Sequence, residues 1–117
     1  MATEDFRTLQ KIEDMMLYAY PVLMQFPKAE KFSLAQDIRS CMNTLLKLTI
    51  AEDKKYTKKT TLENMDIELA TLKVYIRLAQ ELSYISFHKY EVWESKLVEI
   101  GKMIGGLLKS VNDKSRS

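Results

Sequence analysis

Apolar residues return every three or four positions through four stretches of the chain, with polar runs between them. That spacing places them on one face of an α-helix, so each stretch predicts an amphipathic helix with one buried side. The first runs from about Asp5 to Gln25, with Phe6, Leu9, Ile12, Met16 and Ala19 on one face and Leu23 extending it. Pro21 removes a backbone donor near its end and predicts a kink, and Pro27 marks the exit. Ser33 followed by Gln36 reads as a capping box that starts the second helix at Leu34. Its positions Leu34, Ile38, Cys41, Leu45 and Leu48 alternate steps of four and three, a heptad seam. Leu46 and Ile50 widen that seam, which predicts two buried sides. The run 54–60 breaks the pattern with lysine and threonine and reads as a connection.

Thr60 with Glu63 reads as a second capping box. The third helix carries Leu62, Met65, Leu69, Leu72, Ile76 and Ala79, with Val74, Leu78, Leu82 and Ile85 beside them. Ser86 opens the fourth, whose seam is the cleanest: Tyr90, Trp93, Leu97, Ile100, Ile104, Leu107 and Val111. The predicted helices are thus about 5–25, 34–54, 61–85 and 87–111, with a small polar tail, 112–117, expected to fray. Short connections make sequential helices antiparallel. The expected fold is all-α: one domain over residues 1–117, an up-down-up-down four-helix bundle.

Composition narrows the function more than the fold. All three glycines fall within six residues, at Gly101, Gly105 and Gly106, inside the fourth helix. Phosphate cradles and nucleophile elbows need glycine at a turn, and no turn here has one. With single copies of Cys41 and His88, neither a disulfide framework nor a Cys/His metal cluster can be built, and no cofactor box is visible. His88 near a turn reads as a capping or surface residue. Cys41 on the seam reads as a small core hydrophobe, and a lone cysteine fits a reducing cytoplasm. The acidic pairs Glu52/Asp53 and Glu91/Glu94 read as solvated helix faces, so no catalytic residue is assigned. The start Met1-Ala2-Thr3-Glu4-Asp5 lacks the basic and apolar regions of a signal peptide, and no apolar run is long enough to span a membrane. The expected location is the cytoplasm.

Two features point outward. Glycines four apart, at Gly101 and Gly105 with Gly106 adjacent, bare one face of a helix at about 1 kcal/mol each of helix propensity. Close packing inside the bundle and a subunit interface both account for such a stripe. The second feature is basic. Lys73 and Arg77 are i, i+4 neighbours on an otherwise apolar helix and suggest an acidic partner. Lys54, Lys55, Lys58 and Lys59 add charge at a connection. The net charge of only +2 argues no nucleic-acid binding by itself, but oligomeric repetition sums weak basic patches into a strong field for polyanions.

Tyr20-Pro21 with Phe26-Pro27-Lys28, Phe32-Ser33-Leu34, and Ile100-Gly101-Lys102-Met103-Ile104-Gly105-Gly106 together resemble a family of bacterial four-helix-bundle proteins. That family includes the accessory variability determinant (Avd) proteins of diversity-generating retroelements and the proteins encoded in ribosomal-RNA intervening sequences. The similarity spans about Phe6 to Val111. The run from Asp66 to Ala79, with its basic pair, resembles the Avd branch. The intervening-sequence branch, which would imply a structural or RNA-associated role, typically ends its second helix with Asn-Ile-Ala-Glu-Gly. Here that run is Thr49-Ile50-Ala51-Glu52-Asp53. The Avd resemblance implies a barrel-shaped homopentamer that binds the element's reverse transcriptase and engages template RNA and cDNA during mutagenic reverse transcription. It places partner binding on Lys73 and Arg77 and leaves polymerase chemistry to the partner.

Overall fold

Four helices form where the apolar period predicts them: α1 (Thr3–Leu23), α2 (Leu34–Lys54), α3 (Lys59–Glu81) and α4 (Phe87–Arg116), with a short 3-10 turn at Lys28–Glu30. The computed structural model describes residues 3–54 and 59–116, with side chains over 7–52 and 59–113. α1 packs against α2 and α4, and α3 packs against α2 and α4, while the diagonal pairs have no close backbone approach among the described residues. The chain is an antiparallel up-down-up-down four-helix bundle. Its extents are 51 × 22 × 19 Å, and the 30-residue α4 alone accounts for about 45 Å of the long axis.

The core follows the pattern most closely where the pattern is strictest. Leu62, Met65, Leu69, Leu72, Ile76 and Ala79 are the buried residues of α3. On α4, Trp93, Leu97, Ile100 and Ile104 are fully buried, with Tyr90, Leu107 and Val111 packed at the margins. α1 is rotated by about one position from its predicted face. Met15 and Val22 join Ile12, Ala19, Leu23 and Phe26 in the core, and Leu9 and Met16 are only half-buried. Phe6 has a side chain outside the described residues. On α2 the buried side is single: Ala35, Ile38, Cys41, Met42, Leu45 and Thr49 face inward, Leu34, Leu46 and Leu48 are half-buried, and Ile50 is exposed. The predicted second buried side is absent because, among the described residues, α2 packs only against α1, α3 and the 3-10 turn, and none of them covers Ile50. Val74 and Leu78 on α3, and Leu82 just past its end, are likewise exposed, while Ile85 is buried.

Boundaries depart from expectation where capping was misread. α2 does start at Leu34, with the Asp37 amide donating to the Ser33 carbonyl at 2.9 Å. The Ser33 hydroxyl, however, donates to the Glu30 carboxylate, and the Gln36 amide bonds Ser40, so no reciprocal capping box forms. α3 begins at Lys59, which puts Thr60 inside its first turn rather than at its cap. α4 continues through Arg116 instead of ending at Val111, as no proline or glycine interrupts residues 112–116. Ser86 caps α4 as predicted, its hydroxyl accepting from the Lys89 amide at 3.2 Å.

The α3–α4 turn solves without glycine a problem that usually calls for one. The Tyr84 amide donates to the Ala79 carbonyl and the Ser83 amide to that of Gln80, a Schellman closure with Ser83 at φ 65°. A left-handed conformation costs a residue with a Cβ about 1–2 kcal/mol. Replacing Ser83 with Gly is therefore expected to stabilise the fold by about 1 kcal/mol in urea titration. A loss of stability would show that the serine side chain contributes more than its strain removes.

That end of the bundle is tied across elements. Tyr84 donates its hydroxyl to Glu30 at 3.0 Å and stacks at 5.6 Å on Phe26, the Tyr18 hydroxyl reaches the Lys89 carbonyl at 3.4 Å, and the Lys89 ammonium bonds Gln25. These bonds join the α1–α2 and α3–α4 connections into one rigid cap.

Candidate partner interface

Lys73 and Arg77 stand one turn apart on α3, along the edge that borders α4. Leu69, one turn earlier, is the side chain a Cβ on Gly101 would meet, at 3.2 Å, and the Lys73 ammonium lies 3.8 Å from the same point. The missing side chain of Gly101 thus makes room for two things: the buried Leu69 and the half-buried stem of Lys73. Arg77 is exposed. Among the described residues neither cation has a carboxylate within salt-bridge distance. Their outward neighbours Ile67, Val74 and Leu78 are exposed and apolar. The α3–α4 edge therefore presents two uncompensated cations beside an apolar strip, which fits an acidic partner surface.

The lysine cluster does not join them. Lys59 is exposed at the first turn of α3, about 21 Å along the helix axis from Lys73. Lys54 closes the backbone of α2 with its side chain outside the described residues, and Lys55 and Lys58 lie outside them altogether. Lys59, at the start of α3, thus stands apart from Lys73 and Arg77, as the sequence placed the lysine run at one end of the bundle.

The glycines also separate. Gly101 packs inside the bundle, as described. A Cβ at Gly105 or Gly106 would meet nothing within 4 Å. Gly106 lines an open groove of about 920 Å³ between α1 and α4, together with Met103 and Leu107. Its rim carries Arg7, Lys11 and Lys102 against Glu13, Asp14 and Glu99, and the Lys11–Glu99 salt bridge spans it at 2.9 Å. The hydrogen bond and charge of Glu99 raise the Lys11 pKa. Periodicity alone could not reveal this groove, because its rim alternates residues from opposite ends of the chain.

Glu52, read from sequence as part of a solvated face, is instead buried on α2, whereas His88 and Cys41 are quiet. His88 is exposed in the first turn of α4, with the capping done by Ser86. Cys41 is buried and donates its thiol to the Glu68 carbonyl at 3.1 Å. Burial first, and the Glu68 charge second, push the thiol up to about 12. A thiol-disulfide reagent at pH 8 is expected to leave Cys41 unmodified in the folded protein and to react fully in urea. Ready reaction without denaturant would contradict its burial. The folded value lies above the ordinary 9.0, so stability is retained below about pH 9 and declines as pH rises toward about 12.

The four-helix architecture accords with the family to which the chain is similar. The chain matches the family model described as bAvd-like over residues 7–111. It belongs to that family. No curated protein matches the chain. The bAvd-like match takes in α2 and α3 whole and most of α1 and α4. No helix among the described residues is long and apolar enough to cross a membrane.

Proposed function

We propose that this bAvd-like protein is a non-catalytic accessory subunit of a diversity-generating retroelement. On this reading it works in the cytoplasm as a homo-oligomer, a pentamer by the family resemblance. It binds the element's reverse transcriptase together with template RNA and cDNA. Family membership over residues 7–111 is the observation that carries the reading. The unpaired Lys73 and Arg77 beside an exposed apolar strip support a protein-binding edge. Gly105 and Gly106, bare with open space above them, support close packing between subunits. Lys54, Lys55, Lys58 and Lys59, repeated by symmetry, supply a field for the nucleic acid. The chemistry of strand synthesis belongs to the reverse transcriptase.

The test of the site is the Lys73→Glu/Arg77→Glu double variant. It is expected to fold as the parent does, since neither cation is paired, and to bind reverse transcriptase at least about tenfold more weakly. Unaltered binding by a correctly folded double variant would remove Lys73 and Arg77 from the interface.

A further inference from the structure

A second concavity lies on the opposite edge of the bundle, where α1 turns into α2. It encloses about 230 Å³. Its floor is apolar, formed by Leu23, Phe26 and Ala35, all buried. Lys28, Lys31 and Arg39 line it from the 3-10 turn, the residue after it and the second turn of α2. None of the three has a carboxylate within salt-bridge distance among the described residues. The nearest acid in sequence, Glu30, is engaged by the Ser33 and Tyr84 hydroxyls, which hold its pKa below the usual range. Asp37 does not line the pocket. Two large apolar side chains lie in the open beside it: Met24 at 82% exposure and Phe32 at 85%.

We infer that this pocket is a docking site for an acidic peptide segment of a partner protein, with one apolar side chain inserted between Lys28, Lys31 and Arg39. Size favours a single side chain, because pockets for free small molecules run to about 300–1,000 Å³. Interface anchors fill such pockets one residue at a time, ringed by polar contacts. Charge sets the class of partner, since three uncompensated cations around an apolar floor reject a basic or neutral segment and reward an acidic one. Nucleic acid fits less well. The one aromatic ring in the pocket, Phe26, is buried and engaged with Tyr84, and the Phe32 ring already carries the Lys31 ammonium at 5.5 Å. Among the described residues no aromatic ring other than Phe26 lines the pocket. The cap of cross-element bonds around Glu30 and Tyr84 holds the site in shape before a ligand arrives. The site is independent of the Lys73–Arg77 edge, because α1 and α2 lie across the bundle from the α3–α4 border.

The experiment is fluorescence anisotropy of the full chain with three probes. One is a short labelled peptide with a phenylalanine between aspartate pairs, the second replaces that phenylalanine with serine, and the third is an oligouridylate of equal charge. The phenylalanine peptide is expected to bind at least about tenfold more tightly than the other two. The Lys28→Glu/Arg39→Glu variant is expected to lose about tenfold or more of that binding, with an unchanged circular-dichroism melt. Met24→Asp, at an exposed position, provides a second variant expected to weaken the same peptide. Equal binding of the serine peptide would reduce the site to a diffuse basic surface and overturn the inference. Tighter binding of oligouridylate, or no binding of any probe, would overturn it as well. A failure here leaves the reverse-transcriptase reading intact, since that reading is scored on variants at Lys73 and Arg77.

Discussion

Replacing Trp93 with Ala is expected to remove about 3–5 kcal/mol of stability, a large share of the about 5–15 kcal/mol that folded domains have. Trp93 is the largest fully buried side chain and sits on the α4 seam facing the common core of the bundle. Truncation opens a cavity that helices anchored along their length cannot collapse to fill. The indole nitrogen is buried and has no hydrogen-bond partner among the described residues, so part of the tryptophan's packing already offsets an unmet donor. Trp93→Phe removes that donor and keeps most of the ring, and is expected to lose only about 1 kcal/mol. Urea titration of the two variants measures both values. A loss under about 1 kcal/mol for Trp93→Ala would contradict the placement of this residue at the centre of the core.

On the homo-oligomer proposed above, the Gly105→Leu/Gly106→Leu double variant is expected to abolish self-association while leaving the isolated bundle as stable as before or more so. In the single chain a Cβ at either position meets open space, and each glycine replaced by a good helix former returns about 1 kcal/mol of propensity. Only a neighbouring subunit lying against this face would be displaced by the added bulk. Light scattering and a thermal melt on the same sample separate the two effects. Gly101→Ala is the contrasting control. Its Cβ would press on Leu69 at 3.2 Å, so propensity and crowding oppose each other within the fold. An unchanged assembly in the double leucine variant would return Gly105 and Gly106 to a role without packing consequences.

How much was legible depended on whether one helix carried the information. In α3 and α4 the principal seam residues Leu62, Met65, Leu69, Leu72, Ile76, Ala79, Trp93, Leu97, Ile100 and Ile104 are all buried as the spacing predicts, while the flanking Val74 and Leu78 stay exposed. In α1 the neighbours Met15 and Met16, and again Val22 and Leu23, are both apolar, so periodicity leaves the phase of the stripe ambiguous by one position. Packing against α2 and α4 then selects Met15 and Val22. Capping chemistry misled at Thr60 because a Ser/Thr-x-x-Glu pattern marks a cap only when the helix starts just after it. The same rule explains the candidate sites. Lys73 and Arg77 are four apart on one helix and could be seen together. Lys28, Lys31 and Arg39 meet only because a 3-10 turn folds back onto α2. The different fates of Gly101 and its two neighbours depend on where α3 lies, which the spacing of glycines does not encode.

On the function proposed above, the element's reverse transcriptase needs this bAvd-like chain to make cDNA. The direct measurement is cDNA synthesis from the element's template RNA by its purified reverse transcriptase, with this protein absent, present, or present as Lys73→Glu/Arg77→Glu. The expected result is cDNA that depends on the parent protein and falls at least about tenfold with the double variant. Equal cDNA in all three reactions would contradict the account.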